Sequence, residues 1–252
     1  LEYVMQGYDV TERTRTRLAQ SLGAMRESLV MIIGQLKNAG LRSQRSEIFE
    51  QSTVDNPTEY YHHILRDWAW DAEPSKHFVT NVNDANLQRV LRAWPQARPQ
   101  KMLFLGAGAG RLSWDLHQTL QPAFTIASDF NPFLLTCAHS LIKRRTPVTL
   151  PELYTYPQIG FPYAKSWTMQ PPDDPNQLHQ RWFALGADVW NMPLKSQCVD
   201  AVVTSWLLDV TGGDVKDLIS VIDYLLEPGG YWVNTGPLLY SGKLSFDLKY
   251  SR

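Results

Sequence analysis

The stretch KMLFLGAGAGRLSWDL, residues 101–116, carries the pattern that decides the fold. It begins with a short apolar run typical of a strand, 101–105, and continues with glycines at alternate positions, Gly106, Gly108 and Gly110, before a helical pattern starts. Glycine lets the backbone approach a ligand closely, and the N-terminus of the following helix attracts polar groups. The stretch therefore predicts a strand, a ligand-binding turn and a helix in succession.

Strand-like and helix-like segments continue to alternate downstream of this turn. Strands are predicted at 124–128, 182–185, 200–206 and 231–234, and a helix at 215–226 is followed by a turn at 228–230. Residues 146–180 are rich in proline and aromatic residues without a clear period, so we expect an insert outside the core sheet. This alternation predicts an α/β fold with a doubly wound, mostly parallel sheet.

The N-terminal part of the chain has a different, helical pattern. Apolar residues recur at steps of three and four over about 9–40, and shorter helices are predicted at 59–70 and 83–94. A proline-containing link then separates this helical segment, residues 1–98, from the α/β domain, residues 99–252. The first helix is amphipathic, and its pattern leaves open whether it packs on its own domain or on a second copy in a homodimer.

Composition and charge exclude several classes of partner. The 252 residues include 24 Lys and Arg against 25 Asp and Glu, so the chain has no net field that would attract nucleic acid or an anionic membrane. No apolar stretch reaches the span of a bilayer, and no signal-peptide pattern opens the chain. Cys137 and Cys198 stand apart, without the spacing of metal ligands, so no metal site is predicted. We expect a cytoplasmic enzyme with neither nucleic-acid nor membrane partners.

The glycine spacing and two later acids indicate the kind of ligand. Arg111 occupies the position at which a dinucleotide fingerprint has its last glycine, so the spacing resembles the first motif of methyltransferases, with a nicotinamide site as the alternative. Asp129 follows the second strand, where a carboxylate binds ribose hydroxyls or, alternatively, caps a helix. Asp188 ends the next predicted strand, where it either binds the adenine amine, with Val189 and Trp190 beside the ring, or serves a turn.

Four longer segments resemble the carnosine N-methyltransferase family, whose members methylate an imidazole nitrogen. They are GAGAGRLSWDL at 106–116, SDFNPFLLTCAHSLIKRR at 128–145, VDAVVTSWLLD at 199–209 and EPGGYWVNTGPLLY at 227–240. The resemblance extends from about Tyr60 to Tyr240, and LRDWAW at 65–70 resembles a helix that closes over the cofactor in that family. It implies a class I methyltransferase-like, Rossmann-like fold with S-adenosylmethionine as the cofactor, the segment 1–98 supplying the cofactor lid.

The same resemblance implies the cofactor contacts. Arg66 would form a salt bridge with the methionine carboxylate, and the glycine loop, Gly106–Gly110, would pass beneath it. The remaining positions are His63, where the family has glutamine, Asp129 at the ribose, Asp188 and Val189 at the adenine, and Ala201 in the wall of the same pocket.

Asp209 is the predicted catalytic residue, because it matches the family's acid that holds the imidazole. It ends the run VVTSWLLD, which predicts a position at the carboxyl edge of the sheet; capping the next turn is the structural alternative. An imidazole attacks through an unprotonated nitrogen, so a carboxylate that accepts the other ring N–H fixes the tautomer and orients the lone pair. Asn234 and Tyr240 would line the same substrate cavity, with a structural role as the alternative for each, and Ser241 stands where the family has a substrate-binding histidine.

The sequence thus predicts an S-adenosylmethionine-dependent N-methyltransferase that acts on an imidazole nitrogen of a small histidine-containing molecule. Ser241 keeps a second hypothesis open, a methyltransferase of the same fold with another amine or a protein as acceptor. The chain ends at Arg252, before the last two strands that a methyltransferase sheet needs, so either the chain is a fragment or those strands are missing. A non-catalytic module that binds a cofactor or partner is therefore the third hypothesis.

Overall fold

A computed structural model of the chain describes residues 57–72, 82–95, 98–153 and 164–236, together with isolated helical positions between 16 and 34. The predicted first helix is therefore described only at those isolated positions, and the prediction about what it packs against lies outside the described residues. Tyr240 and Ser241 lie outside them as well. Of the helices that the structure describes, none has the length and apolar character needed to span a membrane.

The core of the described chain is a parallel sheet of five strands. The strands among the described residues are, in order, β1 (Lys101–Leu105), β2 (Phe124–Asp129), β3 (Val148–Leu153), β4 (Ala164–Met169), β5 (Trp182–Gly186), β6 (Val199–Ser205) and β7 (Leu226–Thr235). The core sheet has the order β5-β2-β1-β6-β7, and each neighbouring pair is parallel. This arrangement confirms the predicted parallel α/β sheet.

Helices cover both faces of this sheet. The helices α2 (Val82–Ala93), α3 (Arg111–Leu120), α4 (Pro132–Ala138) and α5 (Val215–Leu225) lie against it, and α1 (Pro57–Trp68) packs on α4 and the glycine loop. Met102 and Phe104 of β1 pack with residues of α2 and α3, whereas Leu103 and Leu105 pack with residues of α5. Because successive residues of a strand point to opposite faces, the two sets of helices lie on opposite sides, which confirms the doubly wound fold.

The strand order fixes where a ligand can bind. From β1 the chain moves outward through β2 to β5, and it then returns to place β6 on the other side of β1. In doubly wound sheets, ligands bind in the crevice outside the carboxyl ends of the strands at such a switch point. The segments that follow β1 and β6 are therefore the expected walls of the site.

The predicted insert lies outside the core sheet, as expected, but it contains two strands that the sequence pattern did not reveal. β3 and β4 pair antiparallel as a separate sheet, which packs on α1 through an apolar cluster that includes Tyr61, Leu150 and Trp167. The Trp167 indole donates a hydrogen bond to Glu152 Oε2 at 2.7 Å, and the Tyr61 hydroxyl donates one to the Pro151 carbonyl. The insert thereby holds one side of α1.

Among the predicted boundaries that differ from the structure, those of β6 and β7 have a clear cause in the backbone. β6 ends at Ser205 rather than 206, because Trp206 adopts a left-handed backbone with φ 59° that cannot continue a strand. β7 begins at Leu226, directly after α5, so the predicted turn at 228–230 lies within the strand. Its glycines form an irregularity in the pairing with β6, where Gly229 has φ 82°.

His117 makes the stability of this fold sensitive to pH. It is fully buried between α3 and β2, its Nδ1 lies 2.7 Å from Thr125 Oγ1, and burial lowers its pKa to about 4. In the unfolded chain this histidine binds a proton near pH 6.5, whereas in the folded chain it stays neutral until about pH 4. Its contribution to the free energy of unfolding is therefore complete above pH 6.5 and falls as the pH drops toward 4. Between about pH 6.5 and pH 5 we expect His117 to remove about 2 kcal/mol from the free energy of unfolding.

Urea titrations of the wild type and of His117→Asn at both pH values measure this contribution. The variant should be less stable at neutral pH and should lack that share of the pH dependence. His62→Asn, a change on the exposed face of α1, should keep the wild-type pH dependence. Equal pH dependence in His117→Asn and in the wild type would contradict the assignment to His117.

Candidate active site at the carboxyl edge of the sheet

The glycine loop between β1 and α3 has the left-handed backbone that its sequence requires. Gly106, Gly108 and Gly110 have φ values of 68°, 58° and 83°, a region that other residues rarely adopt. The Ala107 N–H donates a hydrogen bond to the Ser128 carbonyl at 2.8 Å, which fixes the loop to the end of β2. No atom outside the immediate chain neighbours lies within 4 Å of the position that a Gly108 Cβ would occupy. The loop therefore presents bare backbone to open space.

Gly108 and Gly110 have different surroundings, so alanine substitutions at these two positions form a matched pair of variants. A Cβ on Gly110 would lie 2.9 Å from Ala138 Cβ and 3.3 Å from a ring carbon of Trp182, whereas a Cβ on Gly108 would meet nothing. Gly108→Ala should therefore lower the free energy of unfolding by about 1 kcal/mol, because it adds only backbone strain. Gly110→Ala adds a clash in a packed core as well, so it should lower the free energy of unfolding by about 3 kcal/mol in total. Denaturant unfolding without ligand measures both, and equal losses would contradict the packing difference.

Asp129 is the acid closest to this loop. It is buried at the end of β2, where Oδ2 accepts the Gly108 N–H at 2.7 Å and Oδ1 accepts the Asn131 N–H at 2.8 Å. Burial raises the pKa of Asp129, and these backbone N–H groups oppose the rise. A carboxylate offers about four acceptor positions, so capacity remains for the hydroxyls of a ribose. Asn131, rather than Asp129, caps the next helix, because its side chain accepts the Phe133 N–H at 2.9 Å.

The segment after β5 carries the second predicted acid. Asp188 lies two residues beyond the strand end at Gly186 rather than within the strand. Its Oδ1 accepts the Trp190 N–H at 3.0 Å and thereby caps the short helix Val189–Asn191, which is the turn role left open by the sequence. The second carboxylate oxygen keeps its acceptor capacity for a ligand.

Helix α1 joins the site through the end that carries the predicted lid sequence. The Trp68 indole N–H donates a hydrogen bond to the Ala109 carbonyl of the glycine loop at 2.8 Å. Arg66 lies one residue before a buried acid, Asp67, and its Nε and Nη2 both lie 2.7 Å from Asp67 Oδ1. His63 is half-buried, with its ring centroid 6.1 Å from that of Tyr60. The structure thus brings α1 onto the loop, as a lid would require.

Asp209 reaches the same edge from the other side of the switch point. The sequence predicted it at the end of a strand, but β6 stops earlier, at Ser205, and Asp209 lies buried in the turn that follows. The two walls meet at Gly106, where a Cβ would lie 2.7 Å from Leu207 Cδ1. The glycine loop and the acid-bearing turn therefore pack against each other at the carboxyl edge of the sheet.

Asn234 lies at the end of β7, next to that turn. Its Oδ1 accepts a hydrogen bond from the Thr204 hydroxyl at 2.9 Å, and Thr204 in turn accepts the Trp232 indole N–H at 2.8 Å. Asn234 is exposed, so its amide N–H₂ is available to a ligand at the carboxyl edge. The structure therefore gives Asn234 a structural contact at the end of β7, and its role toward the acceptor stays a prediction.

Ala201 was predicted in the wall of the cofactor pocket, but in the structure it lies in the core. Ala201 is fully buried in β6 opposite Met102 of β1 and packs in the core cluster between the sheet and helices α2 and α3. It lies four positions before the strand end at Ser205, so its methyl group is directed into the core. We therefore leave Ala201 out of the candidate site.

Three exposed aromatic residues lie at this edge: the sequence predicted Trp190 beside the adenine, but it gave no ligand-binding role to Phe130 or Trp206. Phe130 follows Asp129 and is 46% exposed, Trp206 follows β6 and is 53% exposed, and Trp190 follows β5 and is 37% exposed. Large exposed aromatic side chains around a crevice typically mark a ligand surface. The available signal in the sequence was their position, since each comes within a few residues of the end of a core strand.

The strand order, the glycine loop and the acid at the end of β2 define a Rossmann-like fold of the class I methyltransferase type. More particularly, the chain is similar to carnosine N-methyltransferases. The profile of the family described as carnosine N-methyltransferase matches residues 176–249. This match, with the relatives below, confirms the resemblance seen in the sequence.

The relatives are similar at modest identity. The carnosine N-methyltransferase of Mus musculus is 27% identical over 203 residues, which cover 74% of this chain and 49% of the mouse protein. That of Schizosaccharomyces pombe is 24% identical over 151 residues, which cover 56% of this chain and 40% of the yeast protein. The chain thus spans about half the length of the mouse protein. Among solved structures, geranyl diphosphate C-methyltransferase from Streptomyces coelicolor has a TM-score of 0.45 at 13% identity, covering 62% of this chain and 46% of that one.

Proposed function

We propose that this chain is an S-adenosylmethionine-dependent N-methyltransferase whose acceptor is an imidazole nitrogen of a small histidine-containing molecule. The observation that carries the proposal is the contact between the two walls of the crevice. Gly106 of the loop backs onto Leu207, so a cofactor on the loop and an acceptor beside Asp209 would be neighbours. The similarity to carnosine N-methyltransferases supports the reaction class.

The residues of the crevice fit the cofactor. Gly108 leaves open space where any other residue would place a Cβ, and the buried Asp129 directly beside it keeps acceptor capacity for ribose hydroxyls. Asp188 and Val189 would contact the adenine, and Arg66 and His63 of α1 would face the amino-acid end of the cofactor. When bound, S-adenosylmethionine supplies a methyl carbon whose bond to the sulfonium sulfur breaks with the electron pair staying on sulfur.

The side chains of the protein would then position the acceptor and manage one proton. Asp209 would accept the N–H of the imidazole, which leaves the other ring nitrogen unprotonated and oriented toward the methyl carbon. Once that nitrogen carries the methyl group, the ring is cationic, and Asp209 would take the remaining N–H proton and pass it to solvent. Alignment at near-contact distance supplies most of the rate enhancement in such a transfer, so the protein needs no covalent step of its own.

Asn234, Tyr240 and Ser241 complete the proposed acceptor side. Ser241 stands where the related family has a substrate-binding histidine, which favours as a second candidate an acceptor other than carnosine. A different imidazole, another amine or a protein side chain would each keep the same cofactor site.

A methyl-transfer screen tests the proposal and separates the candidates. The protein is incubated with S-adenosylmethionine labelled at the methyl group and with carnosine, free histidine, other imidazoles, primary amines and a protein extract. We expect label on an imidazole compound. Label only on amines or on protein would favour the second candidate, and cofactor binding without transfer to any acceptor would favour a non-catalytic module.

A further inference from the structure

The C-terminal end of α1 is fixed to the glycine loop and to the first residue of α3. Trp68 donates its indole N–H to the Ala109 carbonyl, and Arg111 Nη1 donates to the Asp67 carbonyl at 3.0 Å. The Arg111 guanidinium also lies over the Trp68 ring, 5.3 Å from its centroid. The last turn of α1 is thereby held at a set position relative to the loop that would carry the cofactor.

Arg66 and Asp67 lie in this same turn and form a contact of unequal burial. The Asp67 side chain is only 8% exposed, whereas that of Arg66 is 37% exposed. Nε and Nη2 of Arg66 both contact the one oxygen Oδ1 of Asp67, which uses two of the five N–H donors of the guanidinium. The remaining donors stay available for a second carboxylate.

We propose that Asp67 is a positioning residue, which holds the Arg66 guanidinium in the orientation that receives the carboxylate of the cofactor's amino-acid part. This inference rests on the proposed cofactor site and adds a residue to it. A half-exposed arginine samples many rotamers, and binding a ligand would normally require that freedom to be lost. A buried partner on a fixed helix turn removes the freedom before the ligand arrives, since the planar fork can be held on one side and bind on the other.

Charge does not prevent Asp67 from doing this. Burial raises the pKa of Asp67, and the two nearby cations, Arg66 and Arg111, oppose that rise. Two further acids lie in the region, Asp71 and Asp115, and Arg111 Nε engages Asp115 at 2.9 Å. An entering carboxylate would therefore be bound by the guanidinium donors of Arg66 that Asp67 leaves unused, and not by a net positive field.

Two ligands that differ only in the amino-acid part distinguish positioning from a purely structural role. S-adenosylhomocysteine has that carboxylate, and 5′-methylthioadenosine has the same adenosine without it. In titration calorimetry, Asp67→Asn should weaken S-adenosylhomocysteine about tenfold and change the affinity for 5′-methylthioadenosine less than about twofold. Arg66→Lys should show the same selectivity, because lysine offers a single ammonium in place of the fork.

Each result of this experiment has a defined meaning. Equal loss of both ligands in Asp67→Asn, or no loss of either, would overturn the positioning role while leaving the cofactor site intact. If Asp67→Asn melts below the assay temperature, Arg66→Lys decides alone, and wild-type affinity for S-adenosylhomocysteine in that variant would overturn the inference. A wild type that binds neither ligand would reject the proposed function itself.

Discussion

Replacing Asp209 with alanine is expected to lower kcat by at least about 10³-fold while S-adenosylhomocysteine still binds with wild-type affinity. The reason is positional. Asp209 lies in the turn after β6, whereas the proposed ribose contact, Asp129, ends β2, so we expect its loss to remove the acceptor's hydrogen-bond partner without changing the cofactor contacts. Without that carboxylate, neither the tautomer nor the direction of the imidazole lone pair is fixed.

A nearby acid provides the matched control for this variant. Asp214 caps α5 by accepting the Lys216 N–H at 2.8 Å, only five residues further along the same segment. Asp214→Ala should reduce the free energy of unfolding by about 1 kcal/mol and leave kcat unchanged. Steady-state kinetics and calorimetry on both variants complete the test. Parallel loss of turnover and of S-adenosylhomocysteine affinity in Asp209→Ala would show that this acid does not act on the acceptor.

Replacing Asp129 with asparagine should reduce cofactor affinity about 30-fold or more. Both oxygens of Asp129 already accept backbone N–H groups, from Gly108 and Asn131, and the ribose adds further donors. An amide has one acceptor oxygen, so one of these donors would face an N–H₂ group instead. The loss of a charged hydrogen bond, together with a buried donor left unpaired, should reduce the binding free energy by about 2 kcal/mol or more.

The choice of ligand again makes this prediction specific. S-adenosylhomocysteine and 5′-methylthioadenosine share the ribose, so Asp129→Asn should weaken both equally, in contrast to Asp67→Asn. Asp223→Asn, which removes a charge on the exposed face of α5, should bind both ligands like the wild type. Loss of only the ligand with the amino-acid part would mean that Asp129 does not contact the sugar.

The sequence was most informative where local pattern and tertiary structure agree. The glycine loop follows an apolar run, and the predicted strand 101–105 and helix start at Arg111 are those of the structure. The end of β6 could not be predicted in the same way, since the apolar residues after Ser205 continue the composition of a strand. Only the left-handed backbone at Trp206 stops it, and hydrophobic pattern carries no information on φ.

Contacts between distant segments were also beyond the sequence pattern. Trp68 and Ala109 are 41 residues apart, so the hydrogen bond that docks α1 on the loop has no local signature. The pair Arg66 and Asp67 is adjacent in sequence, but its function depends on the burial of one member and the exposure of the other. Ala201 shows the opposite error, because a position inferred by resemblance proved to lie inside the core.

Calorimetric titration of the wild-type protein with S-adenosylhomocysteine and, separately, with NADH tests the central claim most directly. A sulfonium-cofactor site at the switch point of the sheet predicts one S-adenosylhomocysteine bound per chain, with an affinity at least about 100-fold higher than that for NADH. Saturable binding of NADH with no heat from S-adenosylhomocysteine would contradict it.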